Sequence, residues 1–198
     1  MRQSGILAKK AMLEAMLTQL APLPQNAIIK MSDVVREVQL PKGFVLLKSG
    51  KVEPNVYLIK KGIVRAYAQM PEGDVTFWFG SEGDIVLSMR SYVEGNKGYE
   101  DIELLEDCEL YEVKAKDLQS LYVQDIHIAN WGRKFAEKEL IKTEERLISR
   151  LCKPATQRYQ DLLENHPDLV KRIQLGHIAS YLGITQVSLS RIRKQLEG

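Results

Sequence analysis

Between Val34 and Val113, short runs of apolar and β-branched residues alternate with glycine-marked corners. This texture constrains the fold more than any other feature of the chain. The runs are Phe44–Leu47, Asn55–Lys60, Ile63–Ala68, Val75–Phe79, Ile85–Leu87, Asp101–Leu105 and Glu109–Val113. Turn signals separate them at Pro41-Lys42-Gly43, Ser49-Gly50, Lys60-Lys61-Gly62, Pro71-Glu72-Gly73-Asp74 and Glu82-Gly83-Asp84. Closely spaced strands with glycine at the corners predict an antiparallel sandwich or barrel. Glycine is needed where a sharp corner takes positive φ or brings two backbones close together.

Helical texture flanks this region. Residues 6–20 place Leu13, Met16, Leu17 and Leu20 at helical spacing, and Pro22 and Pro24 stop that helix. It is expected to pack on the neighbouring domain or on a partner chain. Residues 125–151 run without proline, with Ala129, Gly132, Ala136, Leu140, Thr143, Leu147 and Leu151 at steps of three or four. Ile128, Trp131, Phe135, Ile141 and Ile148 lie on neighbouring stripes. One stripe can pack on the sheet while the near-heptad seam packs on a second copy, which predicts a parallel dimer. Trp131 is expected in that dimer packing.

Charge and residue counts narrow the function. Lys and Arg number 28 against 26 Asp and Glu, a formal charge of +2 that excludes a histone-like polycation. Residues 153–198 hold seven basic and four acidic residues, so the positive charge concentrates at the C-terminal end. No apolar run approaches the roughly 20 residues of a membrane-spanning helix. Met1 to Lys10 lead into no apolar core or cleavage site, so a cytoplasmic location is expected. The two cysteines, Cys108 and Cys152, form no disulfide framework and are expected to be buried small hydrophobes. The three histidines are His127, His166 and His177, so the strand region has none. A barrel metal triad therefore lacks its usual ligands, and a nucleophilic serine or cysteine there lacks a histidine base. No enzyme, no cofactor and no metal is expected. Trp78 and Phe79 are expected in the strand core.

The sharpest local signal is at 173–195. Ile178, Ala179 and Leu182 form the inner face of a short helix, with Ala179 small enough for a close crossing. Gly183 ends that helix and Thr185 caps the next. Val187 or Leu189, with Ile192, turns inward, leaving Gln186, Ser188, Ser190, Arg191, Arg193 and Lys194 largely outside. A helix, a glycine turn and a polar, basic helix predict a helix-turn-helix whose second helix enters the DNA major groove. A solvated αα-hairpin is the plainer alternative. His177, at the entry to this unit, either touches phosphate or is a partly buried helix residue.

With these residues the chain resembles the cyclic-AMP receptor protein / fumarate-nitrate regulator (CRP/FNR) superfamily, from about residue 28 to 195. The stretches Ile178 to Thr185 and Ser188 to Lys194 resemble its Bacteroidetes branch, as do Arg146-Leu147-Ile148-Ser149, Arg158-Tyr159 and Asn165-His166-Pro167-Asp168-Leu169. Leu40 to Gly43, Gly50, Tyr57 to Gly62, Val64-Arg65 and Gly83-Asp84 resemble the corners of the cyclic-nucleotide-binding β-roll. The resemblance implies an α+β fold. An N-terminal helix (1–24) precedes an antiparallel, jelly-roll sensor domain (25–123), a long dimerisation helix (124–152) and a C-terminal, winged helix-turn-helix (153–198). It implies a homodimer that binds a near-palindromic DNA operator, with RNA polymerase as a further partner and an effector of unknown identity.

The resemblance also assigns residues. Thr185 falls at the cap and phosphate position. Gln186 and Val187 fall where many members read bases with Arg and Glu, and Arg191 at the arginine that reads guanine. Ser188 and Ser190 hold bases or phosphates, and Arg193 and Lys194 phosphates. The chain ends at Gly198 straight after this helix, so clamping by a terminal wing is expected to be weak. In the sensor, alignment from Gly83-Asp84 puts Ser88 at the ribose-binding glutamate, and Gly98 and Tyr99 at the Arg-Ser pair that holds a cyclic phosphate. Met89 and Arg90 complete this candidate pocket. Without its charged anchors the pocket is expected not to bind cyclic AMP, because a buried phosphate needs compensation. The competing function is a ligand-binding regulatory module that acts on a protein partner.

Overall fold

A computed structural model describes residues 2–197, with side chains from residue 11 to 196. Gly198 and the side chains of Met1 to Lys10 lie outside the described residues. Two helices, α1 (Arg2–Leu20) and α2 (Gln25–Asp33), lead into eight strands. These are β1 (Arg36–Leu40), β2 (Val45–Leu47), β3 (Asn55–Lys61), β4 (Val64–Met70), β5 (Gly73–Gly80), β6 (Ile85–Val86), β7 (Asp101–Leu104) and β8 (Cys108–Lys114), with α3 (Met89–Glu94) between β6 and β7. The chain continues through α4 (Ala115–Gln124) and α5 (Ile126–Cys152). It closes with α6 (Ala155–Asn165), α7 (Pro167–Arg172), α8 (Leu175–Leu182) and α9 (Gln186–Glu197). From residue 153 on, the described residues carry no strand.

The strands form two four-stranded antiparallel sheets, ordered β1-β8-β3-β6 and β2-β7-β4-β5. This is the predicted β-roll. Leu47, Ile59, Val64, Val86, Leu104 and Leu110 fill the space between the sheets, all almost fully buried. The first sheet is covered on its outer face as well. There Val56, Leu58 and Tyr111 pack on Leu13, Leu17, Met31, Leu118 and Ile128 of the helices. That double burial explains why β3 reads as a continuous apolar run rather than an alternation.

Gly62, at the β3–β4 corner, shows why glycine is required. It takes φ +119°, and a Cβ there would lie 2.3 Å from the Cys108 sulfur. Cys108 is buried as expected, and desolvation pushes its thiol up to about 11. Cys152 departs from expectation: it is exposed at the last turn of α5, beyond the reach of the core.

Trp131 also departs from expectation. It is buried within its own subunit, and its indole N–H donates to the Leu17 carbonyl at 2.8 Å. The first turns of α5 thus belong to the roll's helical cover. Trp78 packs at the edge of the inter-sheet core. Phe79 faces the other way, against Tyr181 of α8, with ring centroids 5.2 Å apart.

Candidate nucleic-acid interface and sensor pocket

The α8–α9 pair is built as its residues dictate. Ile178, Ala179, Leu182, Leu189 and Ile192 are buried together with Tyr159, Leu162 and Ile173. Gly183 takes φ +69°, and the α8 C-terminus closes with the Gly183 and Ile184 amides donating to Ser180 and Ala179 carbonyls. Thr185 caps α9, its hydroxyl oxygen accepting from the Ser188 amide at 3.1 Å. With Leu189 and Ile192 inside, Gln186, Val187, Ser190, Arg191 and Lys194 are exposed. Ser188 and Arg193 are half-buried. Leu189 turns inward and Val187 outward, which settles the choice the pattern left open.

Arg158 ties this unit to the long helix. Its guanidinium donates to the Lys153 carbonyl at 2.6 Å and to the Leu182 carbonyl at 2.7 Å. The end of α5 and the end of α8 therefore share one cation.

A second set of contacts docks α8 on the roll. Arg65 of β4 is buried, pairs with Asp74 at 3.1 Å and Glu103 at 2.7 Å, and lies 4.0 Å over the Tyr67 ring. The same guanidinium lies 2.8 Å from Nδ1 of His177. Ser180 accepts from the Thr76 amide and donates to the Asp74 carbonyl, so α8 is pinned to the backbone of β5. Arg172 bridges Glu82 and Glu106. The arginine beside Glu82 holds that carboxyl down at about 2. His177 thus faces the roll, and sequence reasoning had no signal for this because its partner lies 112 residues away.

Facing Arg65, Nδ1 of His177 accepts, so the docked imidazole carries no proton there. Burial first, then Arg65, hold His177 below its ordinary pKa; Lys42 acts in the same sense, while Glu103 and Asp74 oppose it. The undocked histidine takes up its proton at higher pH than the docked one. Docking is therefore fully supported above about pH 6.5 and weakens as pH falls below it. Between pH 7.5 and 5.5, the radius of gyration from small-angle scattering should rise, while His177→Gln should flatten that response. An equal radius at both pH values would remove His177 from the docking contact.

The candidate sensor residues divide. Ser88, at the N-cap of α3, and Gly98 are buried and adjacent; a Cβ on Gly98 would lie 2.6 Å from the Ser88 hydroxyl. The carboxylate of Glu100 is beside them, 3.3 Å from the same point, with 6% of the residue exposed. Tyr99 and Arg90 are outside. Tyr99 is exposed near Phe77, and Arg90 sits 3.8 Å from Glu94. Met89 instead lines an apolar cavity on the far side of the first sheet. Glu100 was missed; the signal available was an acidic residue two positions after Gly98, just before β7. Where a cyclic phosphate would need cations, the pocket offers a hydroxyl and a carboxylate. Among the described residues no cluster of three His, Cys, Asp or Glu could hold a metal, and no helix is long and apolar enough to cross a membrane.

Comparison with known proteins agrees with this geometry. Residues 37–125 match the cyclic nucleotide-binding domain family. No curated protein matches the chain by sequence. Among solved structures, FixK2 from Bradyrhizobium japonicum superposes with a TM-score of 0.74 at 22% identity, over 83% of this chain and 85% of that one. A putative CRP/FNR-family transcriptional regulator from Eubacterium rectale gives 0.71 at 19%, over 89% and 85%. The cyclic-di-GMP-responsive regulator CLP of Xanthomonas campestris gives 0.69 at 17%, over 88% and 92%. Residues 37–125 thus resemble the cyclic nucleotide-binding domain family, and the chain as a whole shares the fold of these solved structures, a CRP/FNR-family regulator among them.

Proposed function

We propose that this protein is a dimeric, sequence-specific DNA-binding transcription regulator that does not respond to cyclic AMP. The observation that carries the reading is α9: a capped helix, anchored from beneath by Leu189 and Ile192, that presents Gln186, Val187, Ser190, Arg191 and Lys194 to solvent. Arg and Gln offer the bidentate groups that read base edges, Val187 suits a thymine methyl, and Lys194 with Thr185, Ser188 and Arg193 serves phosphates. Two such helices about 34 Å apart meet successive major grooves of a near-palindromic site. The reading places the protein in the cytoplasm, with RNA polymerase as a further partner.

Cyclic AMP is disfavoured by the Ser88–Gly98–Glu100 pocket. A carboxylate held 6% exposed beside the phosphate position adds repulsion where compensation is required.

In vitro selection of duplex DNA by the purified protein tests the proposal. The selected site should bind with affinity that falls steeply with salt. Arg191→Ala should weaken it by about 10- to 100-fold and relax the preference at one base pair per half-site, without changing thermal stability. Cyclic AMP should leave the affinity unchanged. Absence of any preferred duplex at moderate salt would turn the reading toward a module that acts on a protein partner.

A further inference from the structure

The fold also holds an internal space that is not between the two sheets. It lies on the outer face of the first sheet, roofed by α1, α2, α3, α4 and α5, with a volume of about 180 Å³. Leu58 and Tyr111 form its floor, Leu17 and Met31 one wall, and Trp131 and Phe135 of α5 another. Its surface is almost wholly carbon. Polar groups in the wall are few: the Trp131 N–H donates to Leu17, and the Tyr92 hydroxyl is buried without a hydrogen-bond partner.

An ordered water needs two to four polar partners, more than the single Tyr92 hydroxyl supplies. Left empty, it forfeits the dispersion contacts that a close-packed interior normally makes. An engineered dry cavity of about 150 Å³ is large enough to take benzene. A way in exists between α3 and α5, where Met89 and Val93 are exposed and Ala136 faces solvent.

We propose that this cavity is a binding site for an uncharged hydrocarbon group, a monoaromatic ring or an alkyl segment of similar size, and that it is the sensor's effector site in place of the inter-sheet pocket. The occupant touches α3, which continues from Ser88, and α5, which continues to the Arg158 link with α8. Filling the space therefore acts on both at once. Binding itself stands apart from the DNA-binding reading; only its effect on operator affinity rests on that reading.

The test uses the full chain and bromobenzene, a hydrocarbon-like ring whose bromine quenches indole fluorescence at contact. In a Trp78→Phe background Trp131 is the only tryptophan left. Bromobenzene should quench it saturably and raise the thermal midpoint by at least 2 °C, whereas benzoate at the same concentration should do neither. Val93→Phe, at the exposed mouth on α3 and off the α5 seam, should weaken saturable quenching at least tenfold with an unchanged circular dichroism spectrum. Quenching that stays linear in bromobenzene, or a midpoint that does not rise in the unaltered protein, would overturn the proposal. So would saturable quenching seen only when the protein is diluted to monomers, because a second copy would then be the natural occupant. None of these readouts involves DNA, so failure here and failure of the regulator reading are separable.

Discussion

Arg65→Ala should destabilise the protein by about 3 kcal/mol and free the C-terminal helices from the roll. Arg65 is buried on β4, and its removal strands Glu103 and Asp74 without their cation. Breaking a buried ion pair by deleting one partner typically costs about 3–5 kcal/mol; the lower end applies because Asp74 is 42% exposed and is partly screened by water. The same deletion removes the 2.8 Å contact with His177 and the cation over Tyr67. Those contacts are the polar core of the docked arrangement, while Ile63 supplies its apolar share among the helices.

Urea denaturation should therefore show a lowered midpoint, and small-angle scattering an enlarged radius of gyration. Arg65→Lys should recover only part of the stability, since a single ammonium cannot reach Asp74, Glu103 and His177 together. An unchanged midpoint with an unchanged scattering profile would show that the roll and the helical unit are held by other contacts.

Docking of this kind was not legible in the sequence, and the reason is physical. The glycine-punctuated runs were readable because corners at Gly43, Gly50, Gly62, Gly73 and Gly83 all need positive φ, a local requirement. Helix α9 was readable because its cap, its buried face and its basic face all lie within a dozen residues. Strand β1 was not, because it pairs with β8, 68 to 76 residues on, and stays half-exposed, so neither burial nor alternation marks Arg36–Leu40. Helix α3 is six residues long, too short to show a helical period. Trp131 was misplaced because periodicity reports which residues share a face, not what covers that face. In the candidate pocket, alignment located Ser88 and Gly98, yet Glu100 emerged only from three-dimensional proximity.

The second half of α5 is where the proposed dimer meets its most severe test. The helix buries Ile128 and Trp131 in its own subunit and half-buries Phe135; beyond Ala136 its large apolar residues face solvent. Leu140, Leu147 and Leu151 continue the near-heptad seam and are 70%, 57% and 75% exposed; Ile141 and Ile148 flank them. A contiguous exposed apolar strip of this kind marks an interaction surface. Higher on the helix Gly132 faces its own subunit, where a Cβ would lie 2.6 Å from the Tyr122 ring. Leu140→Glu with Leu147→Glu would place two carboxylates opposite their own symmetry mates, so repulsion adds to the lost burial. The double variant should sediment as a monomer at micromolar concentration. Each recognition helix would then bind its half-site alone, and the gain from linking two sites, about 10²- to 10⁴-fold, would be lost from the affinity for a palindromic duplex. The half-site affinity should hold, because α9 lies beyond the altered turns and keeps its own core. A double variant that still sedimented as a dimer would move the interface off α5, and with it the route by which an occupant of the apolar cavity could set the spacing of the two recognition helices.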